Sequence, residues 1–182
     1  MARLPLVDPE SGPPEAAALL REIAGERGQA FNVYRMLANS PEALRRVFSL
    51  SSWLWNESSL PPRLQELAIL RVALLTRSEY EWARHRSLAR RVGVPDEQVD
   101  ALADWRERPD LFDALERAAL RLTEEATVDV EASADAVAEV RALVGEAATL
   151  ELVLLIGFYG MVSRFLRSLA VDAEPGDDPL PA

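Results

Sequence analysis

One side chain in this sequence titrates near neutral pH: His85, the only histidine. It closes the string Ser78-Glu79-Tyr80-Glu81-Trp82-Ala83-Arg84-His85, and Glu66 precedes that string in an otherwise apolar stretch. The chain has no Cys, and all 20 of its Lys and Arg positions are Arg. Thiolate nucleophiles, Schiff-base lysines and a phosphate-cradling lysine are thereby excluded. Proton transfer through His85 and nearby carboxylates is the leading catalytic option.

The elements that must position these residues read as helices throughout. Pro13 and Pro14 open a first helix that Gly28 closes, and a short turn carries Phe31, Tyr34, Met36 and Leu37. Ser40-Pro41 gives an N-cap with Pro at the first helical position, for a helix running to about Glu57. Pro61-Pro62 starts the next, which is apolar around nearly its whole circumference to Arg77 and so reads as buried on all sides. Only Arg63, Gln65, Glu66 and Arg71 break it.

Ser78 can cap the following helix, which Gly93 and Pro95 end. Its inner face carries Ser78, Glu81, Trp82, His85, Leu88, Ala89 and Val92. Glu81 and His85 stand one turn apart, close enough to meet, and a carboxylate there favours the imidazolium or fixes a tautomer. Glu66 falls roughly one turn below the level of His85 if the two helices fold back at Arg77-Ser78, so direct contact requires tilt or an intervening water or substrate. Further helices are expected at about 96–104, 110–126, 134–144 and 147–171.

The frame Glu66-x11-Ser78-x2-Glu81-x3-His85 resembles the E-x11-C-x2-C-x3-H frame of the peroxidase branch of the carboxymuconolactone decarboxylase family, the superfamily of the alkylhydroperoxidase AhpD. Arg63-Leu64-Gln65-Glu66-Leu67-Ala68-Ile69-Leu70, Glu79-Tyr80-Glu81-Trp82 and Gly157-Phe158-Tyr159 extend the resemblance, which covers about Leu37 to Val171. It implies an all-α, single-domain AhpD-like helical bundle over 1–171; residues 172–182, Pro- and Asp-rich without an apolar period, are expected to form a flexible tail. Ser78 and Glu81 stand where the redox cysteines stand, so thiol-dependent alkylhydroperoxidase activity is excluded. The namesake decarboxylases carry a carboxylate four residues before their His, similar to Glu81 and His85, and lose carbon dioxide from a lactone acid without a cofactor. The implied activity is that of a cofactor-independent lyase, isomerase or hydrolase on a small organic acid or lactone. His85, Glu66 and Glu81 are its catalytic candidates, and Trp55, Ser78, Trp82, Phe158 and Tyr159 its pocket candidates.

Each candidate also has a plain structural explanation. A lone inward His is commonly a hydrogen-bonded core residue, Ser78-x-x-Glu81 matches a capping box, and Glu66 could pair with Arg63 or Arg71. The aromatics could be ordinary core. The run Arg84, Arg86, Arg90, Arg91 could attract an anionic substrate or form a solvated outer face. A non-catalytic oligomeric binding or assembly protein is the alternative reading.

Composition narrows the partners. The formal charge of -10 opposes nucleic acid and anionic lipid. No His/Cys/Asp/Glu set has convincing metal-ligand spacing, so neither metal nor cofactor is expected. The apolar run Leu152 to Val162 is about half of the ~20 residues that span a bilayer and reads as a buried helix. Met1 to Glu10 lacks a charged start followed by an apolar segment, and a cytoplasmic setting is expected. The apolar surface of the last helix, together with the family resemblance, implies a homo-oligomer, trimer or hexamer.

Overall fold

The computed structural model describes residues 2–175 and residue 180. Its α-helices are α1 (Pro14–Arg27), α2 (Asn32–Leu37), α3 (Pro41–Asn56), α4 (Pro62–Thr76), α5 (Glu79–Arg91), α6 (Asp96–Asp100), α7 (Ala114–Val128) and α8 (Ala134–Ser168). There is no strand among the described residues, as the helical periodicity required. The helices gather into two compact units, one of residues up to Glu57 with the stretch from Phe165, the other centred on Ser58–Arg164.

In the first unit, Pro14 starts α1 with its ring-fixed φ, and Gly28 ends it in the left-handed region at φ 89. Ser40 caps α3 by accepting the amide of Ala43 at 3.4 Å, with Pro41 behind it. Ala16, Leu20 and Ile23 of α1 pack with Ala38 and Leu44, and Tyr34 and Phe48 close the edge of that cluster. Residues after α8 join this unit, where the amide of Asn32 donates to Glu174 at 2.6 Å. The rest of the expected tail, 176–179 and 181–182, lies outside the described residues.

The second unit is built around α4, buried along most of its length including three of its polar residues. Each of those finds a partner, as burial demands. Gln65 donates to Ser58 Oγ at 2.9 Å, and Arg71 donates to the Leu102 carbonyl at 2.7 Å and to Glu124. Glu66 turns towards α5, described below. Leu67, Leu70, Trp82, Val99, Leu102, Phe112 and Leu120 fill the core around it.

Two boundaries depart from the periodic reading and one agrees with it. The helix expected to reach residue 104 ends at Asp100; beyond it Arg71 donates to the Leu102 carbonyl and Trp105–Glu107 forms a 3₁₀ turn. The next helix starts at Ala114 rather than near 110. A capping box sets it: Asp113 accepts the Glu116 amide at 2.8 Å, and Glu116 accepts the Asp113 amide at 3.0 Å. The break expected between residues 144 and 147 is present: α8 consists of two helices that meet at Gly145, whose φ of 80 and ψ of 177 are open to glycine alone.

A buried Glu–His–Glu candidate site

The corner between α4 and α5 builds the site. Arg77 ends α4 in the left-handed region at φ 53, and the Ser78 amide returns to the Ala73 carbonyl at 2.8 Å. Two residues thus reverse the chain and lay α5 against α4. The register sends Glu66 and His85 into the same buried layer.

His85 Nδ1 lies 2.9 Å from Glu66 Oε2, and Nε2 lies 3.3 Å from Glu81 Oε2. The one-turn offset expected from sequence is therefore bridged directly, with nothing between the two side chains. Arg63 and Arg71 are not the partners of Glu66: Arg63 pairs with Glu116 at 2.7 Å, and Arg71 pairs with Glu124. Nor does Glu81 form the capping box its spacing suggested. Ser78 occupies the N-cap position without a side-chain cap bond, and Glu81 reaches forward to His85.

The protonation state follows from donor counting. An ionised carboxylate only accepts, and a neutral imidazole has one N–H to give, so only the imidazolium can donate to both glutamates. Burial opposes that charge, but the charge and hydrogen bond of Glu66, followed by those of Glu81, outweigh it and raise the His85 pKa from 6.5 to about 9. The two contacts are unequal. The longer one, at Nε2, marks the proton more easily given up.

Tyr159 of α8 sets its ring edge-on to the imidazole, with centroids 4.9 Å apart at 87°, and Phe158 meets Tyr159 edge-to-face at 5.3 Å. These contacts hold the His85 ring plane. Trp82 is fully buried in the α4 core. Its indole N–H and the buried hydroxyl of Ser78 have no hydrogen-bond partner. Trp55 belongs to the other unit, where Arg27 lies 5.9 Å from its ring centroid. A surface cleft of that unit, about 620 Å³, is lined by Trp53 and not by Trp55.

Two arginines of the run are paired with carboxylates. Arg86 pairs with Asp100 at 2.9 Å and Arg90 with Asp96 at 2.7 Å. The sequence reading did not single out Ser163, whose buried hydroxyl also lacks a partner one turn beyond Tyr159. Its signal was the four-residue spacing from Tyr159. Among the described residues, no group of three His, Cys, Asp or Glu side chains is placed to hold a metal ion.

Helix order and the superposing solved structures define an AhpD-like all-α fold, with Ser78 and Glu81 at the two positions where the resembling peroxidase frame has Cys. Residues 41–125 match the model of the carboxymuconolactone decarboxylase family, and this segment, like the rest of the chain, is without Cys. Among solved structures, a peroxidase-related protein from Silicibacter sp. TM1040 superposes with a TM-score of 0.81 at 20% identity, over 96% of this chain and 92% of that one. An AhpD-core peroxidase-related protein from Ralstonia eutropha JMP134 gives 0.75 at 17% identity, over 96% and 93%. A Cys-to-Ala variant of the debrominase Bmp8 in complex with 2,3,4-tribromopyrrole gives 0.75 at 19% identity, over 96% and 95%. At such identities the likeness establishes the fold and not the reaction. No curated protein matches the chain.

Proposed function

We propose that this protein is a cofactor-independent acid/base catalyst of lyase type, acting on a small organic acid or lactone, with His85 as its proton donor. The observation that carries this reading is the imidazole with a carboxylate on each nitrogen. A donor with a pKa of about 9 stays charged through neutral pH, ready to protonate a carbanion-like carbon. In the decarboxylative form, a substrate carboxylate leaves as carbon dioxide and its bonding electron pair takes the Nε2 proton of His85. Water then reprotonates the imidazole, so one proton is consumed per carbon dioxide released. Glu66 fixes the ring through Nδ1. Glu81 occupies the donor side and must yield to the substrate. Its charge raises the energy of a bound carboxylate, which is relieved when carbon dioxide departs.

A second reading is favoured by one observation: the His85 side chain is only 5% exposed, so the cluster could be a closed structural ion triad in a binding or assembly protein. Incubation with a panel of lactone acids and β-keto acids in D₂O, followed by NMR for carbon dioxide loss and deuterium incorporation, separates the two. The catalytic reading expects turnover that falls as pH rises past about 9 and is abolished in a folded His85→Gln variant. Turnover unchanged in that variant, or absent from the wild type across the panel, would overturn it.

A further inference from the structure

Two buried hydrogen-bond donors stand on the same helix face as His85 without an acceptor. Ser78 and Trp82 are each 0% exposed, and among the described residues neither the Ser78 hydroxyl nor the Trp82 indole N–H has a partner. Such groups are costly to leave unsatisfied away from water. An indole nitrogen can only donate, so the group that satisfies it must be an acceptor.

Their placement ties them to the triad. With 3.6 residues to the turn, Glu81, His85, Ser78 and Trp82 fall in that order within an arc of about 100° on the inner side of α5. Side chains on a helix lean towards its N-terminus. His85 does so, its Nε2 reaching Glu81 one turn back at 3.3 Å, and the same lean carries Trp82 over the turn that begins at Ser78. The indole is fixed in the core with Leu67, Leu70, Val99 and Leu120, so its N–H is held in place before any ligand arrives. Glu81 lies between Ser78 and His85 along the helix, and the movement that frees the Nε2 proton for substrate opens the space beside the two donors as well.

The triad cannot itself steady a second oxygen anion, because two carboxylates about one imidazolium already leave an excess negative charge. Neutral donors add none. We infer that Ser78 Oγ–H and Trp82 Nε1–H form a two-donor seat for an oxygen anion, and that the acid bound here carries a carbonyl next to the carbon bearing its leaving carboxylate, as a β-keto acid does. This rests on the decarboxylative reading above. The bond from that carbon to the carboxylate breaks and carbon dioxide leaves. The electron pair passes through a new carbon–carbon double bond onto the carbonyl oxygen, which Ser78 and Trp82 hold as an enolate. The pair then returns to carbon, where it takes the Nε2 proton of His85, and the carbonyl re-forms.

The seat is tested without turnover by ¹⁵N-indole NMR of the full chain with oxalate, a planar mimic of the enolate that oxaloacetate leaves on losing carbon dioxide. The chain has four Trp, and the signal missing from Trp82→Phe is that of Trp82. Saturating oxalate is expected to move that signal downfield, and Ser78→Ala and Trp82→Phe are each expected to weaken oxalate about ten-fold. With a β-keto acid that the wild type turns over, each variant should lower kcat about 100-fold. Ser78→Ala should keep the wild-type Tm or exceed it, so its loss of rate is not a loss of fold. Thr127→Val, which removes another buried hydroxyl without a partner, on α7, should change neither oxalate affinity nor turnover. A Trp82 signal that oxalate leaves in place, its N–H satisfied by buried water only, would overturn the inference. So would full kcat in both variants where His85→Gln is inactive, and the proposed function would then stand without the seat. Oxalate held through Trp82 by a wild type that turns over no acid supports the seat and counts against the reaction alone.

Discussion

Raising the pH above neutrality should withdraw a specific part of this protein's stability. His85 binds its proton more tightly folded than unfolded, with a pKa raised from 6.5 to about 9. Below pH 6.5 both states are protonated and the full stabilisation is present. Between 6.5 and about 9 only the folded state holds the proton, so stability falls by up to about 1.4 kcal/mol per pH unit. Across that interval the loss is about 3 kcal/mol, and above it no more is lost. For a domain of this size this lowers the Tm by about 6–12 °C. Urea denaturation at steps from pH 6 to pH 10 reads the slope, with His85→Gln as reference. The variant should be less stable at pH 6, since two buried carboxylates lose their cation, and its deficit should narrow as pH approaches 10. Parallel profiles for wild type and variant between pH 6.5 and 9 would refute the reasoning.

Three other outcomes follow from the same geometry. Glu66→Gln should lower the His85 pKa more than Glu81→Gln, because Glu66 makes the shorter contact and is the larger raising influence; NMR titration of each variant orders them. Ser78→Ala should leave stability unchanged or raise it by up to about 1 kcal/mol, since a buried hydroxyl without a partner is removed and no cap is lost; a fall of 1–2 kcal/mol in urea denaturation would show that the cap exists after all. Asp113→Ala should cost about 1 kcal/mol, or about 2–4 °C in Tm, by opening the capping box of α7; an unchanged thermal melt would count against that box.

What the sequence disclosed was whatever is decided locally. Pro14, Gly28, Ser40-Pro41, Pro62 and Gly93 mark helix ends because their backbone preferences act within one turn. Of the inner face of α5 read from helical period, Ser78, Glu81, Trp82, His85 and Ala89 are buried, while Leu88 and Val92 are half-buried. The choice among partners was not legible. Arg63, Arg71 and His85 were each within reach of Glu66 on paper, and the outcome was set by Glu116 and Glu124, which arrive on α7 and claim the two arginines. Glu81 satisfied a capping pattern and a one-turn pairing at once, and the buried imidazolium took it because a charged partner outweighs a cap.

The central claim is that His85 is held as an imidazolium between Glu66 and Glu81. Because it is the only histidine, ¹⁵N-labelled imidazole gives one pair of ring signals, free of assignment ambiguity. At pH 7.5 both nitrogens should show the shifts of protonated imidazolium, with a titration midpoint at about 9. A neutral tautomer at that pH, with a midpoint at or below 6.5, would contradict the account.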